Sequence, residues 1–192
     1  MFNSAHILYS NIGRHDSSLP DGMRLTNVTV MEGRGSMRMI DAIISNTTHY
    51  QAWNHARNCL VGGRVTQINL ETPRHDEGLE QREVELRLDF VDPSDDAPVV
   101  LPDFMLSFFD FDQNDHAGNG QECISLPAND STSGLVQIAY LSDPTHGGVL
   151  VAPDPAIYGW MRACSKWQGD GQDNLIDPLG MTDEQRAKAI VV

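Results

Sequence analysis

The sequence predicts an all-β protein, an antiparallel β-sandwich or jelly roll with one short helix near the C-terminus, and three observations carry that expectation. Short apolar runs recur along the chain. The clearest spans 83–90, where Val84, Leu86, Leu88 and Phe90 alternate with Glu83, Glu85, Arg87 and Asp89, the period of two that a half-buried strand requires. Turn residues separate the runs: PSDDAP at 93–98, the pairs Gly62-Gly63 and Gly147-Gly148, and Asp-Pro steps at 92–93, 143–144, 154–155 and 177–178. Asp turns the chain through hydrogen bonds to its own backbone, while Pro fixes φ and keeps its predecessor out of the helical region. Finally, the one strong helix signal is confined to the end of the chain, which disfavours a βαβ arrangement.

In chain order the expected strands are 5–9, 24–30, 37–44, 64–70, 83–90, 104–112, 122–126, 135–141 and 149–152, with a less regular one near 157–161. Residues 50–60 carry Trp53 and Ala56 but also two Asn, which fits a loop or a single turn. Thr182-Asp183-Glu184-Gln185 has the capping-box pattern, with acidic residues in the first turn facing the positive helix end and Arg186 and Lys188 following. The closing Ile190-Val191-Val192 is apolar and reads as the start of a further strand or as the completion of a sheet edge.

At 192 residues the chain fits one domain, 1–192, able to bury a core without obligatory disulfides or metals. Acidic residues outnumber basic ones 27 to 13, and the resulting charge of -14 excludes nucleic acid as the main ligand and disfavours an anionic membrane. No run is long enough to span a bilayer, and the N-terminal MFNSAHILYSNIGRHD has no leader-like pattern. The 3 cysteines, Cys59, Cys123 and Cys164, allow at most one internal disulfide and leave a thiol over. Sequons at Asn27, Asn46 and Asn129 would suit a secreted chain or an organelle lumen better than the cytoplasm.

The richest chemistry lies in LPDFMLSFFDFDQNDHAGNGQECISL, residues 101–126. Phe104, Leu106 and Phe108 fall on one face of a strand and Met105, Phe109 and Phe111 on the other, the pattern of a central strand covered on both sides. If the strand returns through Glu122, with Asp112 opposite Glu122 and Phe108 opposite Leu126, then Asp110, Asp112 and Glu122 share a face about 5–7 Å apart. Three carboxylates so close repel one another unless a cation joins them. Ca²⁺ accepts carboxylates, amides and carbonyls, and Asn114 and Asp115 extend the donor set. The expected metal ligands are Asp110, Asp112, Asn114 and Glu122. The competing reading is that Asp110 and Asp112 simply cap the loop. The D-x-D-x-N order is not an EF-hand, since Asp115 stands where that loop needs Gly and Gln121 where it needs Glu.

Tyr158, Trp160 and Trp167 cluster in sequence beside the acidic loop 169–174 and are the expected ligand-binding residues, since aromatic faces stack on sugar rings; Trp53 and Tyr50 are further aromatics of this kind, against the commoner fate of aromatics in a core. His55 and Cys59 are four apart, a ligand spacing on a helix, but no third ligand supports a metal there. Neither a GxSxG elbow nor a phosphate-binding glycine loop is present.

Two segments, LSFFDFDQ with the returning QECISL and the closing GDGQDNLIDPLGMTDEQRAKAIVV, resemble a loosely defined family of β-rich domains in predicted proteins of marine algae. In that family a strand ending in F-x-D-x-D is followed by a Glu-bearing strand and later by a D-N-P-x-D-P-x-x-L-T-x-x-Q-x-x-A-V element. Here Leu175-Ile176 stands where that pattern has Pro, and Gly180-Met181 replaces its Leu. The resemblance covers the C-terminal half and implies a β domain; the family has no established activity, so no functional residue is carried over.

The expected function is therefore a non-enzymatic binding module, Ca²⁺-stabilised, that recognises a glycan or a protein partner. The alternatives are an accessory peripheral subunit of a larger assembly, such as a photosynthetic membrane complex, whose basic surface meets the acidic face, and a carbohydrate-active hydrolase or lyase using paired carboxylates.

Overall fold

In the computed structural model, the described residues are 5–14, 16–32, 36–62, 65–70, 83–101, 104–111, 121–128, 138–140, 148–166, 177 and 180–192. They are mostly strands in antiparallel sheets, with one short helix near the C-terminus. The chain divides into two compact units, Met1–Pro102 and Asp103–Val192.

Along the first unit run β1 (His6–Ser10), β2 (Met23–Glu32), β3 (Ser36–Asn46), a 3-10 turn (His55–Arg57), β4 (Cys59–Val61), β5 (Val65–Gln67) and β6 (Leu86–Val91). One antiparallel sheet takes the order β1-β2-β3-β6, and β4-β5 is a separate two-stranded ribbon. The apolar alternation that predicts β2 breaks halfway, and the structure shows why. Leu25 pairs with Ala42 and Val28 with Ile40, so Thr26 and Asn27 together oppose the single residue Asp41. This bulge, with Asn27 at φ 60, re-phases the strand. Met23 and Leu25 before it and Val28 after it consequently all reach the core, joined there by Ile40 and Ala42.

The loop after β3 is held by polar groups buried with that core. The Tyr50 ring lies against Gly13, whose φ of 66 and lack of a side chain allow the approach. The Tyr50 hydroxyl donates its proton between Asn69 O, 2.7 Å away, and Asn58 Oδ1, 3.0 Å away. Asn58 also donates to Ile12 O and accepts from Asn69 N, so its amide oxygen takes two bonds and its nitrogen gives one. Residues 50–60 form loop and a single turn, and Cys59 already belongs to β4; His55 and Cys59 therefore do not share a helix face.

The second unit contains β7 (Ser107–Phe108), β8 (Cys123–Pro127), β9 (Ala139–Tyr140), β10 (Val149–Pro153), β11 (Trp160–Ser165), α1 (Asp183–Ala187) and β12 (Ile190–Val191). Two antiparallel sheets have the orders β10-β11-β8 and β7-β12-β9. The capping box predicted for α1 forms in full: Gln185 N donates to Thr182 Oγ1 at 3.2 Å, and Thr182 N donates to Gln185 Oε1 at 3.0 Å. The apolar tail at 190–192 does not finish an edge. β12 is the middle strand of its sheet, with Ile190 fully buried beside Phe111, Val149 and Ala163. Cys123 lies directly opposite Cys164 on β8 and β11, and the two form a disulfide, leaving Cys59 as the free thiol.

The carboxylate-bearing segment differs from its expectation. Only Ser107–Phe108 is strand; Phe104 is 52% exposed and Met105 81% exposed, so the run is not covered on both faces. Phe108 pairs with Ile190, whereas Leu126 pairs with Met161. The expected register, Phe108 opposite Leu126, is thus replaced: β7 and β8 belong to different sheets. Local alternation does not encode which distant strand completes a ladder, and the apolar C-terminal segment is the better partner for Phe108.

Candidate binding site

The expected site residues fall in three groups. Asp110 follows β7 in a left-handed conformation, φ 66, and Glu122 immediately precedes β8. The strand pairing that would have brought Asp112 opposite Glu122 is not formed. Asp112 and Asn114 lie outside the described residues, as does Trp167. Among the described residues no group of three or more His, Cys, Asp or Glu is placed to hold a metal ion. Tyr50, with its ring buried, belongs to the core. Trp53 is exposed at the 3-10 turn, with the Arg57 guanidinium 5.2 Å from its ring centre.

Tyr158 and Trp160 are brought together by one hairpin. β10 and β11 pair in register from Val149↔Ser165 to Pro153↔Met161, and residues 154–159 turn between them. Asp154-Pro155 opens the turn. The Asp154 Oδ1 accepts the amides of Ala156 at 2.8 Å and Ile157 at 3.1 Å, the bonding by which Asp imitates a backbone turn. Gly159, φ 80, then supplies the left-handed step that closes it. Asp154 N donates to Trp160 O at 2.9 Å, and Ala128 N donates to Gly159 O at 2.8 Å, tying the turn to β8.

The second oxygen of Asp154 faces the sheet. Asp154 Oδ2 accepts the Ser125 hydroxyl at 2.5 Å and Arg162 Nε at 3.1 Å. The carboxylate is fully buried, whereas Arg162 is only partly buried. The Ser125 hydroxyl, then the two amides and the Arg162 charge, hold the Asp154 carboxyl below the usual carboxylate range, against the desolvation that pushes it up. A buried charge persists when every lone pair is used, and here both oxygens accept two bonds. Such a carboxylate has no proton to give at neutral pH, so its work is positional.

What it positions is the tip. Tyr158 is as exposed as an isolated side chain, Ile157 is partly exposed, and Trp160 is half-buried where it pairs with Pro127. An aromatic ring in water on a turn anchored through the Asp154–Arg162 pair has a backbone preorganised for contact. The Asp-Pro step at 154–155 was legible as a turn. That Asp154 is buried was not, because Ser125 and Arg162 reach it from other strands.

The chain matches no known family profile, no curated protein and no solved structure. Among the described residues no helix is long and apolar enough to cross a membrane.

Proposed function

We propose that the protein is a non-enzymatic, β-rich binding module whose 154–159 turn recognises a glycan, with the Tyr158 ring stacking on a sugar face and Trp160 beside it. The observation that carries this reading is the pairing of a fully exposed aromatic with a turn fixed by the buried Asp154 and its partner Arg162. Fixing the backbone of the turn before the ligand arrives lowers the ordering cost that weakens flexible contacts. Tyrosine is also among the residues that dominate measured interfaces. The saturated bonding of Asp154 argues against its use as a catalytic acid.

The test is a glycan array probed with the wild-type protein, with Tyr158→Ala and with Tyr158→Phe. Stacking predicts that Tyr158→Phe retains the hits, whereas Tyr158→Ala loses them by roughly thirtyfold or more, about 2 kcal/mol. Repeating the array with a chelator tests the Ca²⁺ proposed at Asp110, Asp112, Asn114 and Glu122: calcium-dependent hits would assign it a role in holding the fold, and unchanged hits would remove it. An array without hits, or hits indifferent to Tyr158→Ala, would overturn the glycan reading and favour a protein partner.

A further inference from the structure

The β2–β3 hairpin carries chemistry that the binding tip does not use. Beyond the bulge, Met31 lies directly opposite Met37, and Met39, two residues along β3 from Met37, lies opposite Thr29. Strand alternation puts Met31, Met37 and Met39 on one face, because their neighbours Val30 on β2 and Ile40 on β3 turn to the core. The three are 78%, 75% and 59% exposed. Opposed residues have Cβ atoms about 5 Å apart and residues two along a strand about 7 Å, so three thioether sulfurs on flexible stems can meet over one point.

The choice of methionine is informative. On the outer face of a two-stranded hairpin, packing does not decide the residue, and intrinsic preference favours Thr, Val or an aromatic, or a charge for solubility. Methionine is a helix former with no such advantage. Yet 3 of the chain's 8 methionines occupy outward positions within residues 31–39. What methionine brings that other apolar residues lack is a soft, neutral sulfur donor. Soft thioethers select Cu(I) and its analogue Ag(I) over hard cations such as Ca²⁺ or Mg²⁺. They need no deprotonation to bind, unlike Cys or His. The chain's charge of -14 also favours a cation.

We propose that Met31, Met37 and Met39 form a three-thioether site for a soft monovalent ion of the Cu(I) class. The ion would sit on the outer face of the β2–β3 hairpin, joining the two strands across it. The site is independent of the Tyr158 tip.

The test uses Ag(I) as a redox-inert probe, titrated into protein carrying Cys59→Ser so that the one free thiol cannot compete. Calorimetry is combined with proton–carbon NMR of the methionine methyl groups. The expected result is one ion per chain, shifts confined to the methyls of Met31, Met37 and Met39, and binding that persists as the pH is lowered through the histidine range. Met37→Leu and Met39→Leu keep volume on an exposed face, so the fold is retained, and each should weaken binding by more than the roughly tenfold that losing an outer partner costs a metal site. Cu(I), supplied anaerobically as its acetonitrile complex, should give the same shifts, and Ca²⁺ should give none. Binding that survives both substitutions, that tracks histidine titration, or that shifts other methyls would overturn the proposal, as would the absence of a one-to-one complex.

Discussion

Among the described residues, each compact unit buries one aspartate beside an arginine, and the two pairs are built for different purposes. In Met1–Pro102, Asp41 sits under the β2 bulge and binds Arg24 through Oδ2 at 2.7 Å, while Arg24 reaches on to the exposed Asp96 at 2.7 Å. The Asp41 Oδ1 is buried with no hydrogen-bond partner among the described residues. In Asp103–Val192, Asp154 spends both oxygens, two bonds each, on its own turn and on β8 and β11. One arginine is therefore shared between two acids, and one acid is shared among four donors. The first arrangement tolerates loss of a partner, because Arg24 keeps the other. The second does not, because one side chain supplies all four bonds. The surroundings differ in the same sense: among the described residues, the first unit has strands of 10 and 11 residues and a broad apolar cluster, whereas the second has strands of at most 6 residues and adds a disulfide.

The largest effect that would sharpen this contrast is loss of the Cys123–Cys164 bond. It closes a separation of 41 residues, and removing it should free loop-closure entropy worth about 4 kcal/mol in the second unit. Hydrogen exchange with and without reductant, or in Cys123→Ser/Cys164→Ser, should show β8, β10 and β11 deprotected while β2 and β3 keep their protection. Equal loss in both units would break the contrast.

Next in size is Asp154→Ala, which removes four acceptor interactions, the one from Arg162 among them. A fall of about 10 °C in the second unit's melting temperature is expected. The pH dependence has a definite sign. The Asp154 carboxyl is lowered in the folded state from 3.8, so its contribution is fully present above that unfolded value and is lost as pH falls through the lower folded one. Asp154→Asn should lack this acid-dependent step. In the first unit, Asp92 behaves likewise at its own site: the Ser94 hydroxyl and amide, then Arg38, pull it down to about 2. Titration by carbon NMR would find Asp92 ionised to lower pH than an isolated aspartate; an ordinary titration would contradict the Ser94 and Arg38 contacts.

Asp41→Asn should cost much less than Asp154→Ala, about 1 kcal/mol, since Arg24 retains Asp96 and the unpartnered oxygen is no longer part of a charged group. Chemical denaturation followed in the first unit would check it. A penalty as large as that of Asp154→Ala would mean that the two pairs are equivalent after all.

The same contrast explains what the sequence disclosed. β3 and β6 were legible because alternation is local, and α1 was legible because Thr182 and Gln185 lie within one turn. β2 was legible only in outline, since the bulge at Thr26-Asn27 breaks the period that defines it. The partner of β7 was not legible. Phe108 can pair with any apolar strand, and β12, more than eighty residues away in sequence, completes its ladder. Tyr158 was visible as an aromatic near turn residues, but its support was not: Ser125, Asp154 and Arg162 are dispersed and individually ordinary. Met37 and Met39 read from sequence as part of an ordinary apolar strand, 37–44, because alternation alone does not say which face is wet, and Met31 fell just beyond the expected strand 24–30.

The smallest stability effect carries the sharpest functional consequence. Tyr158 is fully exposed and its ring adds nothing to the core, so Tyr158→Ala should leave folding within about 0.5 kcal/mol of wild type. Asp154→Ala touches no ligand in the proposed arrangement but releases the turn that presents the ring. If preorganisation is what the buried pair contributes, both substitutions weaken glycan binding, but for different reasons: Tyr158→Ala with the fold intact and little change in the protection of β10 and β11, Asp154→Ala with that protection reduced. Measuring affinity and amide exchange on both proteins separates the two. Retained binding in Asp154→Ala at a temperature where the second unit is still folded would show that the ring needs no fixed platform, and the buried pair would then be part of the fold alone.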